Sequence, residues 1–169
     1  MPSTRYCIYL QYLVGVTMKL SDSTRARVIG RAAPGAVHSG LPLMGCRVRA
    51  GFPSPADDHL EAEINLHEHV VKRPAATYFV RAEGDSMLGD GIHDGDLLVV
   101  DRSLEPLPGR VVVIALEGEP TVKRLARRGG EVWLVASNPR FAPIPLAGRE
   151  CHVWGVVTHV LHALPGGER

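Results

Sequence analysis

Residues 110–125 read RVVVIALEGEPTVKRL, which is two short apolar runs on either side of Glu117-Gly118. The first run is rich in valine and isoleucine, which favour strands, and the second alternates polar and apolar residues. A glycine between two such runs is typical of a hairpin turn. The segment therefore predicts two antiparallel strands joined by a tight turn.

Similar apolar runs, separated by Gly- and Asp-rich turn residues, continue on both sides of this hairpin. They recur every 10–15 residues or so without a helical period, which is typical of an all-β domain. A short helix is expected within Asp57–Val71, because Leu60 and Ile64 lie four positions apart. We predict a mainly β fold, either a β-sandwich or a partly open barrel. The predicted strands outside the hairpin are Tyr78–Ala82, Leu97–Val100, Glu131–Val135 and Cys151–Leu161.

The N-terminal third of the chain has a different composition and charge. Residues 1–50 carry seven Lys or Arg and one acid, a net charge of +6, whereas residues 51–169 carry twelve basic and seventeen acidic residues, a net charge of −5. Residues 21–45 are rich in Gly, Pro, Ala and Arg and show no sustained period. We therefore predict a flexible arm over 1–50 and a β domain over 51–169. If translation starts at Met18 instead of Met1, residues 1–17 are not part of the protein.

Composition argues against several classes of protein. The three cysteines are widely spaced and form no Cys-x-x-Cys pair, which argues against a disulfide framework or a zinc site and fits a reducing cytoplasm. The histidines have no evident set of partner ligands, so neither a metal nor a cofactor is predicted. The apolar run from Tyr6 to Val16 is shorter than the roughly 20 residues that a membrane span needs.

Lys123 is a candidate catalytic base. Side chains alternate along a strand, so Thr121, Lys123 and Leu125 share one face and Arg124 lies on the other. If the face with Leu125 is the core, burial disfavours the charged amine, and a neutral amine is able to take a proton from a hydroxyl. The competing interpretation, a strand lysine whose ammonium reaches water, remains open from this segment alone.

Ser86 is a candidate nucleophile, 37 positions before Lys123. It follows Gly84-Asp85 at the end of a predicted strand, where a turn would project the hydroxyl and leave backbone N–H groups available to an oxyanion. A structural turn or helix-cap serine is the alternative.

Several segments occur together in an order and spacing that resemble the LexA/UmuD self-cleaving family of serine peptidases (S24). The resemblance covers residues from about Arg49 to Leu164, and the stretch from Gly51 to Asp58 is similar to the start of that family's processed form. The matching segments are Gly84–Met87, Gly91–Asp101, Thr121–Leu125 and Gly155–Val160.

The resemblance implies a site and a reaction. Ser86 would be the nucleophile and Lys123 the base, and the bond cut would be Ala50–Gly51 in the chain's own N-terminal arm. The backbone N–H groups of Asp85 and Ser86 would form the oxyanion hole. This chemistry requires no cofactor.

The resemblance also implies partners. Members of the family form homodimers, and RecA filaments on single-stranded DNA stimulate their self-cleavage. The shortened UmuD-like form joins a UmuC-like Y-family DNA polymerase in error-prone translesion synthesis during the SOS response. We therefore expect a cytoplasmic protein without a membrane partner. Direct contact between the basic arm and DNA remains open.

Three alternatives remain at this point. Signal peptidases also use a serine and a lysine, but Gly89 stands where their motif has proline, and no convincing membrane anchor is present. A LexA-type repressor would share the peptidase domain, but residues 1–50 lack the two amphipathic helices of a helix-turn-helix. A binding domain with a decayed site is the third alternative, and the presence of both Ser86 and Lys123 argues against it.

Overall fold

A computed structural model describes residues 28–31, 41–44 and 60–164 of the 169-residue chain. Within these residues the structure is mainly β, with a single short α-helix and two single-turn 3-10 helices, at Pro74–Ala76 and Leu88–Asp90. None of the helices in this part of the chain is long and apolar enough to cross a membrane. The elements are β1 (Val28–Arg31), β2 (Leu41–Met44), β3 (Leu60–Ile64), α1 (Leu66–Val70), β4 (Thr77–Arg81), β5 (Leu97–Asp101), β6 (Val111–Leu116), β7 (Glu119–Arg128), β8 (Glu131–Val135), β9 (Ile144–Pro145) and β10 (Cys151–Leu161).

Eight of the strands form one antiparallel sheet in the order β1-β4-β5-β10-β6-β7-β8-β9, and β2 pairs with β3 in a separate two-stranded sheet. The larger sheet ends at β1 and β9, so it is open and does not close into a barrel. The prediction of a mainly β fold is confirmed. The predicted hairpin joins β6 to β7 through Glu117 and Gly118, whose φ angles of 53° and 86° are both positive, as in the tight turns that favour hairpins.

The long strand β10 connects the two halves of the sheet. Its first half pairs with β6 and its second half with β5, with irregularities in register between Val153 and Gly155 and between Val157 and His159. A Cβ atom at Gly155 would lie 2.8 Å from a methyl group of Val100 and 3.0 Å from the carbonyl oxygen of Asp101. Only glycine fits this crossing without displacing β5, which is the usual reason for a glycine inside a strand.

Two apolar clusters stabilise the sheet, and β6 contributes to both because its side chains alternate. Val112 and Ile114 belong to one cluster and Val113 to the other. Burying one such side chain contributes about 1.5–3 kcal/mol. The first cluster is completed by Leu125, Val132, Leu134, Leu146, Cys151 and Val156, and the second by Tyr78, Ala82, Met87, Ile92, Leu98 and Val100.

A short helix does lie within Asp57–Val71 as predicted, but the Leu60 and Ile64 pair on which the prediction rested is not part of it. Residues 60–64 form strand β3, and the helix covers only Leu66–Val70. The segment reads LEAEI, which alternates apolar and acidic residues and therefore fits a strand as well as it fits the i, i+4 spacing of a helix. Pairing with β2 selects the strand. The rest of the predicted range that precedes Leu60 lies outside the described residues.

Two short strands also occur in the stretch expected to lack structure. Within residues 21–45, β1 pairs with β4 and β2 pairs with β3. Four-residue strands carry too few alternating positions to be recognised by period, so the pairing is visible only in the folded chain. The division into an arm over 1–50 and a domain over 51–169 remains a prediction.

Candidate active site

Ser86 lies on a turn that follows β4. Gly84 has a φ of 83°, a conformation that glycine adopts without strain, and its N–H donates to the Asp94 carboxylate at 2.8 Å. The next residue after the serine, Met87, is buried in an apolar cluster. The turn is therefore anchored on both sides of Ser86, and the serine itself is half-buried.

Lys123 lies in the middle of β7, opposite Val112 of β6. Its side chain is on the same side of the strand as Leu125, and Lys123 as a residue is only 9% exposed. Burial lowers the pKa of the Lys123 amine below its ordinary value, because desolvation disfavours the charged form. Of the two interpretations that the strand left open, the buried lysine is the one that the structure shows.

The Lys123 amine lies at hydrogen-bonding distance from three oxygen atoms. The Nζ atom is 2.9 Å from Ser86 Oγ, 2.9 Å from Thr121 Oγ1 and 2.9 Å from the carbonyl oxygen of Val122. Among the described residues, no carboxylate forms an ion pair with it. A nearby carboxylate would favour the ammonium form and raise the pKa. In the part of the chain that the structure describes, no such group offsets the lowering of the Lys123 pKa by burial.

Asn138 holds the serine turn from the loop that follows β8. Its side-chain N–H donates to the carbonyl of Asp85 at 3.0 Å, and its backbone N–H donates to the carbonyl of Ser86 at 3.1 Å. A carbonyl and the N–H of the next residue share one planar peptide group. The bond to Asp85 therefore fixes the direction of the Ser86 N–H.

Two further contacts join the same loop to the serine turn. The Arg140 guanidinium pairs with the Asp85 carboxylate. The Ser137 hydroxyl accepts a hydrogen bond from the Asp90 N–H at 3.1 Å. A Cβ atom at Gly89 would lie 2.2 Å from the Ser137 carbonyl oxygen, so this close approach requires glycine at that position.

The structure brings together some of the predicted site residues and adds others. Ser86 and Lys123 meet, and Asp85 lies next to the serine, whereas the predicted cleavage bond, Ala50–Gly51, lies outside the described residues. Sequence reasoning missed Asn138, because an Asn-Pro pair in a turn is ordinary and nothing local connects it to a serine 52 positions away.

The expectation that the C-terminal histidines lack a carboxylate partner is wrong for His162. Its Nδ1 atom lies 2.6 Å from Oδ1 of the buried Asp96, which is 66 positions away in sequence. Burial alone would raise the pKa of Asp96, but hydrogen bonds from the His93 N–H and from His162 outweigh it and lower the pKa below its ordinary value. Asp96 is therefore a carboxylate at neutral pH.

A mainly antiparallel β domain with a turn hydroxyl beside a buried amine has the arrangement of a peptidase domain. Comparison with protein families agrees with this class, since the sequence pattern of the family described as Peptidase S24-like matches residues 42–158. The match covers about two-thirds of the chain, and the chain therefore belongs to the S24 peptidase family.

Individual relatives are similar over about three-quarters of the chain or more. Protein SamA of Salmonella typhimurium is 45% identical over 126 residues, covering 75% of this chain and 88% of the relative. Protein MucA of Escherichia coli is 47% identical over 127 residues, covering 74% and 86%. LexA repressor 1 of Pseudomonas putida is 44% identical over 135 residues, covering 80% of this chain but 65% of the repressor.

Proposed function

We propose that this protein is a self-cleaving serine peptidase that cuts its own Ala50–Gly51 bond, with Ser86 as the nucleophile and Lys123 as the general base. The observation that carries the proposal is the 2.9 Å separation between Lys123 Nζ and Ser86 Oγ, with the lysine buried. Membership of the S24 family supports the reaction class. The family match begins at residue 42 and so includes the proposed cleavage bond.

The hydrogen bonds of the amine support its role as a base. A neutral lysine amine has two N–H donors and one lone pair, and the three oxygen atoms around Nζ match this inventory. The carbonyl of Val122 can only accept a hydrogen bond, and the Thr121 hydroxyl is able to accept one. A charged amine would donate to all three oxygen atoms, which lie 2.9 Å from Nζ. In the neutral form that this proposal requires, both donors are used in this way and the lone pair faces the Ser86 hydroxyl, which then donates its hydrogen.

The reaction then follows from proton transfer along this contact. Ser86 Oγ attacks the carbonyl carbon of Ala50 while its proton passes to Lys123 Nζ. When the tetrahedral intermediate collapses, the ammonium returns that proton to the nitrogen of Gly51, which leaves as a new amino terminus. Water next attacks the Ala50 ester, again losing a proton to the amine, and the Ser86 hydroxyl re-forms as the Ala50 carboxylate is released.

The backbone around Ser86 would stabilise the negative oxygen of the intermediate. The N–H groups of Asp85 and Ser86 are the proposed donors, and preorganised donors at such a position contribute several kcal/mol in related chemistry. Asn138 supports this assignment because it holds the carbonyl of the peptide that carries the Ser86 N–H.

The substrate belongs to the same chain, so cleavage does not depend on a diffusional encounter. In chain order the bond lies between β2 and β3. A covalently attached substrate has a high effective concentration, so the rate depends on how often the bond occupies the site in an extended conformation. A partner that binds this conformation selectively would raise the rate by shifting the population.

The family resemblance supplies the biological role of this proposal. A RecA filament on single-stranded DNA is the proposed activator, and the cleaved homodimer is the proposed accessory subunit of a UmuC-like Y-family polymerase in the SOS response, in the cytoplasm. Charge is consistent with a change of partners, because cleavage removes an arm of +6 and leaves a body of −5. Such a change alters the electrostatic surface offered to other molecules.

The test is incubation of the purified full-length chain at neutral and alkaline pH, followed by mass spectrometry of the products. We expect two fragments that meet at Ala50–Gly51, and no fragments from Ser86→Ala or Lys123→Ala. Lys72→Ala is the matched control, because Lys72 is an exposed lysine whose amine, among the described residues, donates to the backbone carbonyl of Glu68. An intact wild-type chain at alkaline pH, also after addition of a RecA filament, would contradict the proposal.

A further inference from the structure

Two histidines and a carboxylate meet at the far end of β10. His93 and Asp96 lie on the loop before β5, and His162 is the first residue after β10. We call these three residues the His–Asp–His cluster. Their candidate ligand atoms all lie within 4.8 Å of one another. Among the described residues, no hydrogen bond or ion pair joins the cluster to Ser86 or Lys123, so it is treated as separate from the candidate active site.

The strand register brings the cluster together. Leu97 of β5 pairs with Leu161 of β10, so the residues that flank this pair, Asp96 and His162, are neighbours across the end of the ladder. The backbone fixes Asp96 further, since its carbonyl accepts a hydrogen bond from the Ala82 N–H at 2.8 Å. Its carboxylate accepts a hydrogen bond from the His93 backbone N–H at 2.7 Å, so it is held in place without the two imidazole rings.

The carboxylate is buried, and the two imidazole rings are partly exposed above it. The side chain of Asp96 is 3% exposed, compared with 47% for His93 and 39% for His162. The two ring centroids are 4.6 Å apart. The donors thus converge on a point at the surface of the protein that solvent and ions are able to reach.

Of the two histidine–carboxylate distances, the one to His93 suits two ligands of a shared metal ion, whereas the one to His162 is that of a direct hydrogen bond. His93 Nδ1 is 3.6 Å from Asp96 Oδ2, which is too long for a hydrogen bond. Two ligands of one tetrahedral zinc ion, each about 2.0 Å from the metal, lie roughly 3.3 Å apart. His162 is closer, at 2.6 Å from Asp96 Oδ1, and it lies beyond the end of β10, where a shift of less than about 1 Å would bring it to the same spacing.

We infer that the His–Asp–His cluster binds a divalent transition-metal cation of the zinc class. Two imidazoles and one carboxylate form a donor set that such ions favour, and three protein ligands leave one coordination position for water. This site goes beyond the proposed peptidase function and does not depend on it.

The expected consequence of binding is a more stable connection between β10 and the segment that leads to Ser86. The loop of the cluster is attached to that segment, because the Gly95 N–H donates to the Ala82 carbonyl and the Asp94 carboxylate accepts from Gly84. A cation that binds only the folded chain raises its stability by mass action.

The test uses the full-length chain with Ser86→Ala, so that cleavage does not alter the sample during the measurement. After removal of metals with a chelator and dialysis, zinc is titrated by calorimetry at neutral pH. We expect one zinc ion for each chain at this site, a rise of several degrees in the melting temperature, and visible absorption bands of tetrahedral geometry when cobalt replaces zinc.

Variants separate this site from other histidines. His93→Gln and His162→Gln should each weaken zinc binding by at least about tenfold. His159→Gln changes a histidine of β10, three residues before His162, and should leave the affinity for zinc unchanged. Asp96 is kept, because its carboxylate also accepts the His93 N–H at 2.7 Å and its loss would disturb the loop. The inference is overturned if the double variant of His93 and His162 binds zinc as tightly as the parent, or if the parent binds none.

Discussion

Ser86 and Lys123 meet at 2.9 Å, but different forces hold the two residues in place. Lys123 is part of β7, which lies between β6 and β8 in the larger sheet. Its backbone position is set by pairing with Val112 of β6, and the ladder to β8 begins at the next residue, Arg124. Ser86 lies on a turn outside the strands, and its position depends on the buried side chain of Met87 and on hydrogen bonds from Asn138.

This difference separates chemistry from positioning. A substitution at Lys123 leaves the ladder of β7 unchanged and removes the amine, so it should change the reaction without moving the serine. A substitution at Asn138 leaves both reactive groups present and loosens the turn, so it should change the geometry and leave the pKa of the base as it was.

The largest effect is expected at Lys123. Lys123→Met should lower the rate of self-cleavage by at least about 100-fold, because the proposed general base is removed. Lys123→Arg should be equally inactive, since a guanidinium stays protonated. Both rates are measured by mass spectrometry or gel densitometry of the fragments over time. Cleavage by Lys123→Arg at a rate near that of the wild type would show that a positive charge, and not a base, is required.

The rate should also depend on pH in a way that reports the Lys123 amine. Burial lowers its pKa, and below that pKa the neutral fraction rises about tenfold for each pH unit. The rate of self-cleavage should therefore rise by about tenfold for each unit and level off once the amine is neutral. A rate that is independent of pH from neutral to alkaline conditions would contradict a role for this amine as the base.

The same shift links Lys123 to stability. Because the pKa is lower in the folded chain than in the unfolded one, the unfolded chain binds more protons between the two values. The contribution of this group to the free energy of unfolding therefore rises with pH between the two pKa values. At pH values below both of them, the amine is charged in the folded chain as well, and the full cost of burying that charge lowers stability. Lys123→Met should remove this rise, which denaturant titrations of the Ser86→Ala chain with and without the substitution would measure.

A smaller effect is expected at Asn138. Asn138→Ala removes the hydrogen bond to the Asp85 carbonyl and should lower the rate about tenfold, with a cost of about 1 kcal/mol in the free energy of unfolding. The pH at which the rate levels off should stay the same, because the environment of Lys123 is unchanged. A shift in that pH would show that Asn138 acts on the base and not on the turn.

The smallest effect is expected at the ion pair between Arg140 and Asp85. The Arg140 side chain is 68% exposed, and exposed pairs of this kind contribute less than about 1 kcal/mol. Arg140→Ala should therefore change the rate by no more than a few-fold at moderate salt. If Arg140→Ala slows cleavage as much as Asn138→Ala does, the exposed ion pair helps to position Ser86 as much as the hydrogen bonds of Asn138 do.

Much of the fold could be predicted from local patterns. The hairpin at Glu117-Gly118 and the run from Cys151 to Leu161 follow from alternation and turn residues, and the structure confirms them. Alternation also placed Lys123 on the same face as Leu125, but only the structure shows that this face is buried. The segment from Leu60 to Ile64 could not be predicted in this way, because LEAEI satisfies the periods of a helix and of a strand. Its partner strand, which decides between them, is distant in sequence.

The residues of the candidate sites also differ in whether their own segments predict them. Short-range patterns and the family resemblance identify Ser86 and Lys123, because a turn serine and a strand lysine are visible in their own segments. The neighbouring sequence does not predict the contacts of Asn138 or the pairing of Asp96 with His162, since their partners lie more than 50 positions away. Alternation and turn chemistry act over a few residues and are encoded directly in the sequence. Strand order and register decide which distant side chains meet, and the burial that lowers the pKa of Lys123 exists only after the apolar clusters have formed around it.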